Sequence, residues 1–338
     1  MSWLTKLGKA IITVVEEVAT VVETVVETVA EAASGVVETI GTAATDAIDE
    51  VGNWLGGAPV IGGFLQGGVH WLATVVSASF DLLATTIKAP LDLAANVTGG
   101  LIRIVGGGIG GAMAGDSGLF VKGIGDISSG IAGALIFTAA KVLAVVQATF
   151  FLQLGERRLT RIEHERLWRI YRNSIDLNNT RVIDGWTFLS LADRAPTIGN
   201  RIYMGGSANT GVHGSLYDKN IVHECCHVWQ YKHIGTRYTA DCMWAWATQP
   251  GQGYDWQDYY RDGIRVWQDF NTEAQAKFIE DVFLAGTQLP AIAESGEFFK
   301  DDPIGPAVEF KSGNDNYTDF ARVSMAYVRS HRWFVATP

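Results

Sequence analysis

His223 and His227 stand four residues apart, with Glu224 between them, in the stretch Ile221-Val222-His223-Glu224-Cys225-Cys226-His227-Val228-Trp229-Gln230. On a helix, residues four apart share a face, so both imidazoles can reach one metal ion while Glu224 lies beside a bound water. The H-E-x-x-H spacing therefore predicts zinc held by His223 and His227, with Glu224 as the base of a hydrolytic reaction. The apolar flank of Ile221, Val222, Val228 and Trp229 predicts that this helix is buried. The bland alternative is a pair of core histidines that only satisfy polar neighbours.

Two histidines leave zinc short of the three protein ligands usual in catalytic sites. The segment Phe270-Asn271-Thr272-Glu273-Ala274-Gln275-Ala276-Lys277-Phe278-Ile279-Glu280-Asp281-Val282-Phe283 reads as a helix starting at Asn271 or Thr272, with Glu273 in its first turn. Glu273 is the first choice for the third ligand. Glu280, on the same face, and His233, six residues after His227, are the competitors, and Glu280 could instead support the site from outside. A first-turn glutamate that merely complements the helix dipole is the plain alternative for Glu273. Phe278, Ile279 and Phe283 form an apolar stripe that would pin the helix. Cys225 and Cys226 fall off the ligand face and read as packing residues. Six side chains, Tyr254, Tyr259, Tyr260, His213, His233 and His331, could donate to an oxyanion, and spacing does not rank them.

The elements that must position these residues occupy the second half of the chain. Of 338 residues, 1–154 carry 6 Lys and Arg and 13 Asp and Glu, and 155–338 carry 20 and 23. The first part also holds 23 of the 38 glycines and none of the 10 tyrosines, which marks two domains, 1–154 and 155–338. In the first, Val14, Val18, Val21, Val22, Val25, Val26 and Val29 recur at helical spacing, and Glu23, Glu27 and Glu31 fall on another face, predicting a helix from Trp3 to Ala33. Its valines and threonines are poor helix formers, so a partner surface must stabilise it. Glycines punctuate 52–130, either as close helix contacts or as turns in a soluble helical bundle. Between Ile131 and Leu154 only Lys141 is charged, a length that could cross a bilayer or lie buried or interfacial. In the second part, 155–179 reads as a surface helix carrying Leu159, Ile162, Leu167, Ile170 and Tyr171. TRVIDGWTFLS and NRIYMGG read as strands around a turn at Asp193-Arg194-Ala195-Pro196. The fold class expected is thus an all-α, glycine-rich hydrophobic N-terminal domain followed by an α+β domain, mainly α with a small sheet.

A net charge of −10 argues against a nucleic-acid partner. Three cysteines, two of them adjacent, make no disulfide framework. Glu16 and Glu17 interrupt the first apolar stretch, so no secretory signal peptide is expected and export would need a dedicated machine.

HECCHVWQYKHIG, preceded by APTIGNRIYMGG and followed by DFNTEAQAKFIEDVF, resembles the HExxH zincin-like metallopeptidases found in bacterial polymorphic-toxin and contractile-injection-system neighbourhoods, a group of zincins classed as a domain of unknown function. The likeness spans roughly 157–283. Members typically show HE-x-x-H-V-W-Q and a downstream N-x-E-Q-Q-A helix. Position by position, the resemblance implies a zincin-like domain with zinc on His223, His227 and Glu273 and the base at Glu224. Ala274 stands where glutamine is usual. The resemblance implies a zinc-dependent metallopeptidase acting on polypeptides, made in the bacterial cytoplasm and exported as an effector or toxin, with 1–154 contacting a membrane or the secretion apparatus. Two other classes stay open: a non-catalytic zincin-fold binding or structural protein, and a membrane-active helical toxin with an accessory C-terminal domain.

Overall fold

The computed structural model of the chain describes residues 3–56, 62–149, 156–184, 196–204, 215–248, 254–284, 309–312 and 315–330. Its first part is three long helices, α1 (Trp3–Gly56), α2 (Gly62–Ala114) and α3 (Gly118–Thr149), arranged as a layer with α2 in the middle. The helix expected to end at Ala33 continues to Gly56. Ser34, Glu38, Gly41 and Thr45 prolong the same small or polar buried seam, so nothing signals a stop.

Most of the glycines described in this part lie inside helices, which decides for close helix contacts over turns. A Cβ on Gly8 would fall 2.6 Å from the Gly110 carbonyl oxygen, and one on Gly123 would fall 2.5 Å from that of Gly100. Only glycine allows backbones so close. The turn between α2 and α3 does use one, Gly115 at φ +71°. Lys141, read as a charge in an apolar span, is buried and donates to Asp81 and, at 2.8 Å, to the Ile198 carbonyl. Within α2 and α3, Val69–Ala114 and Gly118–Ala148 are long and apolar enough to cross a membrane, by length and composition.

The second part is mainly helical with a small sheet. β1 (Glu156–Arg158), β2 (Arg181–Ile183), β3 (Thr197–Ile198) and β4 (Arg201–Tyr203) form a sheet in the order β1-β2-β4-β3, antiparallel except for the β2–β4 pair. β2 and β4 sit inside the two predicted strand segments, β3 was not anticipated, β1 takes the start of the segment read as a helix, which is confined to 161–171 where Thr160 caps it, and 185–195, with the first three turn residues, lie outside the described residues. α4 (Arg161–Tyr171) starts at Thr160, whose hydroxyl accepts from Glu163 N while the Glu163 carboxylate accepts from Thr160 N. Next come α5 (Ser215–Ile234), α6 (Arg237–Thr248), α7 (Trp256–Arg261) and α8 (Thr272–Leu284). A two-residue hairpin of β5 (Lys311–Ser312) and β6 (Asp315–Asn316) leads to α9 (Thr318–Ser330). α5 is buried on every side from Ile221 to Lys232: Ile221, Val222, Cys225, Cys226, Val228 and Trp229 belong to one core with Phe278, Ile279 and Phe283 of α8.

Charges join the two parts. Lys232 of α5 meets Glu31 at 3.1 Å and Glu38 at 3.2 Å on α1. Arg237 of α6 meets Asp126 of α3 at 2.6 Å, and the Thr236 N–H donates to Asp92 of α2 at 2.9 Å. Arg201 of β4 pairs with Asp81, which also holds Lys141. The partner surface that the helices needed is therefore partly the second half of the same chain.

Candidate metal centre

α5 presents His223, Glu224 and His227, and α8, packed along it, presents Glu273 and Glu280; all five are buried. α8 begins as expected: Asn271 Oδ1 accepts from the Ala274 N–H at 2.7 Å, capping the helix and setting Glu273 in its first turn.

The protonation pattern of His227 follows from a chain of amides. Gln275 Nε2 donates to the carbonyls of Gln268 (3.1 Å) and Phe270 (3.0 Å), so its Oε1 must face Gln230. Gln230 then offers its amino group to Gln275 Oε1 (2.9 Å) and to the Thr272 carbonyl (2.8 Å). Its own Oε1 is left for His227 Nδ1 at 2.7 Å, which must donate. His223 Nδ1 lies 3.2 Å from Glu280 Oε2, a carboxylate that only accepts when ionised. Each ring thus uses its Nδ1 proton outward and turns an Nε2 lone pair inward, the arrangement in which outer partners orient metal-binding histidines.

Between those nitrogens sits Glu273 Oε2, 3.3 Å from His223 Nε2 and 3.7 Å from His227 Nε2. Tetrahedral zinc with bonds of about 2.0–2.2 Å holds neighbouring ligand atoms roughly 3.3–3.5 Å apart. Three acceptors at this spacing repel unless protons or a cation lie among them. The titration behaviour makes the same demand: burial opposes charge on His223, yet Glu273 and Glu280 hold its pKa up at about 9. Burial likewise opposes charge on His227, and Cys242 and Glu273 outweigh it. Burial would raise Glu273, but the two histidines hold it far below the usual carboxylate range. The donor set fits a divalent cation.

Glu224 stands apart from this triad in its attachments. The Thr197 hydroxyl of β3 donates to its Oε2 at 2.9 Å, and burial pushes its pKa up against the pull of both histidines. Tyr238 of α6 fixes β3 in turn, donating to the Thr197 carbonyl at 2.7 Å and accepting from the Gly199 N–H at 3.0 Å. His223, Glu224 and His227 also form a compact set of ligand atoms, as do His227, Cys242 and Glu273. Cys242 Sγ meets His227 on Nδ1, at 3.6 Å, the nitrogen turned away from the convergent three.

The chain's predicted site residues His223, Glu224, His227 and Glu273 come together. Glu280 orients His223 from outside, and His233 is elsewhere, bonded to the Ser174 carbonyl at 2.8 Å and tilted against Trp229 with ring centroids 4.4 Å apart. Cys225 and Cys226 pack in the core, as expected. Of the oxyanion candidates, Tyr254 lies beside His223, with ring centroids 6.0 Å apart. Tyr259 and Tyr260 pack among Phe270, Tyr317 and Phe320, whereas His213 and His331 lie outside the described residues. Gln230, Gln275, Thr197 and Cys242 were not singled out. Gln230 had a signal, since three residues after His227 it shares that helix face. Thr197 had none. Comparison with family models, with curated proteins and with solved structures finds no match.

Proposed function

We propose that the chain is a zinc-dependent metallopeptidase with a zincin-like site, in which His223, His227 and Glu273 hold the metal and Glu224 is the base. The observation that carries this is the convergence of Glu273 Oε2 on two Nε2 atoms whose rings are each anchored through Nδ1. When bound, zinc supplies Lewis acidity, lowering the pKa of a water and polarising a carbonyl. Glu224, aimed by Thr197, takes a proton from the attacking water and delivers it to the leaving amine. Tyr254, beside His223, is placed to donate to the developing oxyanion. The substrate class proposed is a polypeptide, and the setting a bacterial effector or toxin.

A second reading rests on Cys242. As a fourth ligand it would close the shell and make the metal structural. Its contact with Nδ1 rather than Nε2 of His227 speaks for the open, catalytic form. The test is digestion of a reduced, unfolded protein by the zinc-loaded chain before and after chelation. Cleavage that chelation stops and added zinc restores is expected. A zinc-loaded chain that never cleaves and loses its zinc on Cys242→Ser would favour the structural reading.

A further inference from the structure

Along their central stretches the three long helices turn their charges inward and many of their branched apolar side chains outward. On α3 the buried positions include Asp126, Lys141 and Gln147, while Phe120, Ile124, Leu135 and Val146 are exposed. On α2, Asp81, Lys88, Asp92 and Arg103 are buried, while Leu101 and Val105 are exposed. α1 does the same, with Glu38 buried and Val18 and Val25 outside. No charged residue is exposed on α2 from Leu72 to Met113 or on α3 from Ile124 to Val146. Water selects the opposite polarity.

The uncharged stretch of α3 is about 33 Å long at ~1.5 Å per residue, and three helices about 10 Å across make a face of roughly 1,000 Å². The largest apolar patch on an ordinary monomer is about 300–600 Å². Several polar atoms on this side are also satisfied locally: the hydroxyls of Thr24, Thr28, Thr39, Ser79 and Ser128 donate to carbonyls three or four residues back in their own helices. A protein partner over such an area would expect about one hydrogen bond per 100–200 Å². Hydrocarbon asks for none, provided each polar group is satisfied internally.

We propose that this outer face of α1, α2 and α3 docks on the apolar region of a lipid bilayer. The layer lies along the membrane rather than crossing it, because its other side is tied to the sheet and to α5 and α6 by the ion pairs of Lys232, Arg237 and Arg201. The metal centre is thereby held on the water side. With exposed charges such as Lys6, Lys9, Glu17, Glu50 and Lys122 confined to the ends of the helices, the attraction along the face is apolar and insensitive to salt and to anionic lipid. This inference stands independently of the hydrolytic reading.

The test is flotation of the full chain with phosphatidylcholine vesicles at about 0.1 and 0.5 M salt, beside a Val25→Lys, Leu101→Lys, Leu135→Lys triple variant. Those side chains are exposed, so the fold, followed by circular dichroism, should persist. Wild type is expected to float equally at both salts, and the triple variant to partition at least about tenfold less. Wild type remaining with the free protein at every lipid concentration would overturn the proposal, whatever the variant does. So would a triple variant that floats like wild type, or a wild-type dimer that excludes vesicles, which would make a second copy the occupant.

Discussion

Glu224→Gln is expected to leave zinc binding intact while hydrolysis of an unfolded protein falls by about 10²–10⁴-fold, the usual worth of a positioned general base. The side chain keeps its shape, and a glutamine oxygen can still accept from the Thr197 hydroxyl. What is lost is the capacity to take a proton from water. Glu224 lies near both histidines, so the variant also separates base from ligand. Unchanged turnover would end the assignment of the base, and loss of zinc would instead place Glu224 among the ligands.

Asp81→Ala is expected to destabilise the chain by about 3–5 kcal/mol, because removing one member of a buried ion cluster strands its partners. Asp81 is the common partner of Lys141, from α3, and Arg201, from β4, and all three are buried. Without it Arg201 keeps Ser77 at 2.6 Å and Glu156 at 3.5 Å, but Lys141 keeps only a carbonyl among these contacts. The measurement is urea unfolding followed by tryptophan fluorescence. A change below about 1 kcal/mol would show that the helical layer and the sheet are not held together through this cluster.

The metal site was legible in the sequence because its determinants are local. Four-residue spacing brings His223 and His227 to one face, and Asn271 announces the helix that carries Glu273. Thr197 and Gln275 were not legible, since each acts across a contact between elements far apart in the chain, and for Glu280 the shared face left direct ligation and support from outside both open until the contact with His223 was seen. Periodicity separated the valine face of α1 from its glutamate face. It could not say which faces inward, because that depends on what surrounds the helix, and Glu31 meets Lys88 and Lys232 there. The glycines left close contacts and turns both open for a similar reason: a glycine that permits a backbone contact looks the same in sequence as one that permits a turn.

The account stands most directly on what holds the zinc, and metal analysis of purified chains measures it. Wild type is predicted to bind close to one zinc per chain. His223→Ala, His227→Ala and Glu273→Ala should each lose it. Glu280→Ala, which frees only an Nδ1 contact, should weaken affinity by no more than the roughly 10–100-fold of an outer partner, and Glu273→Ala by at least as much. Unchanged zinc in both histidine variants would contradict the site itself. Zinc lost in Glu280→Ala but kept in Glu273→Ala would move the third ligand to Glu280.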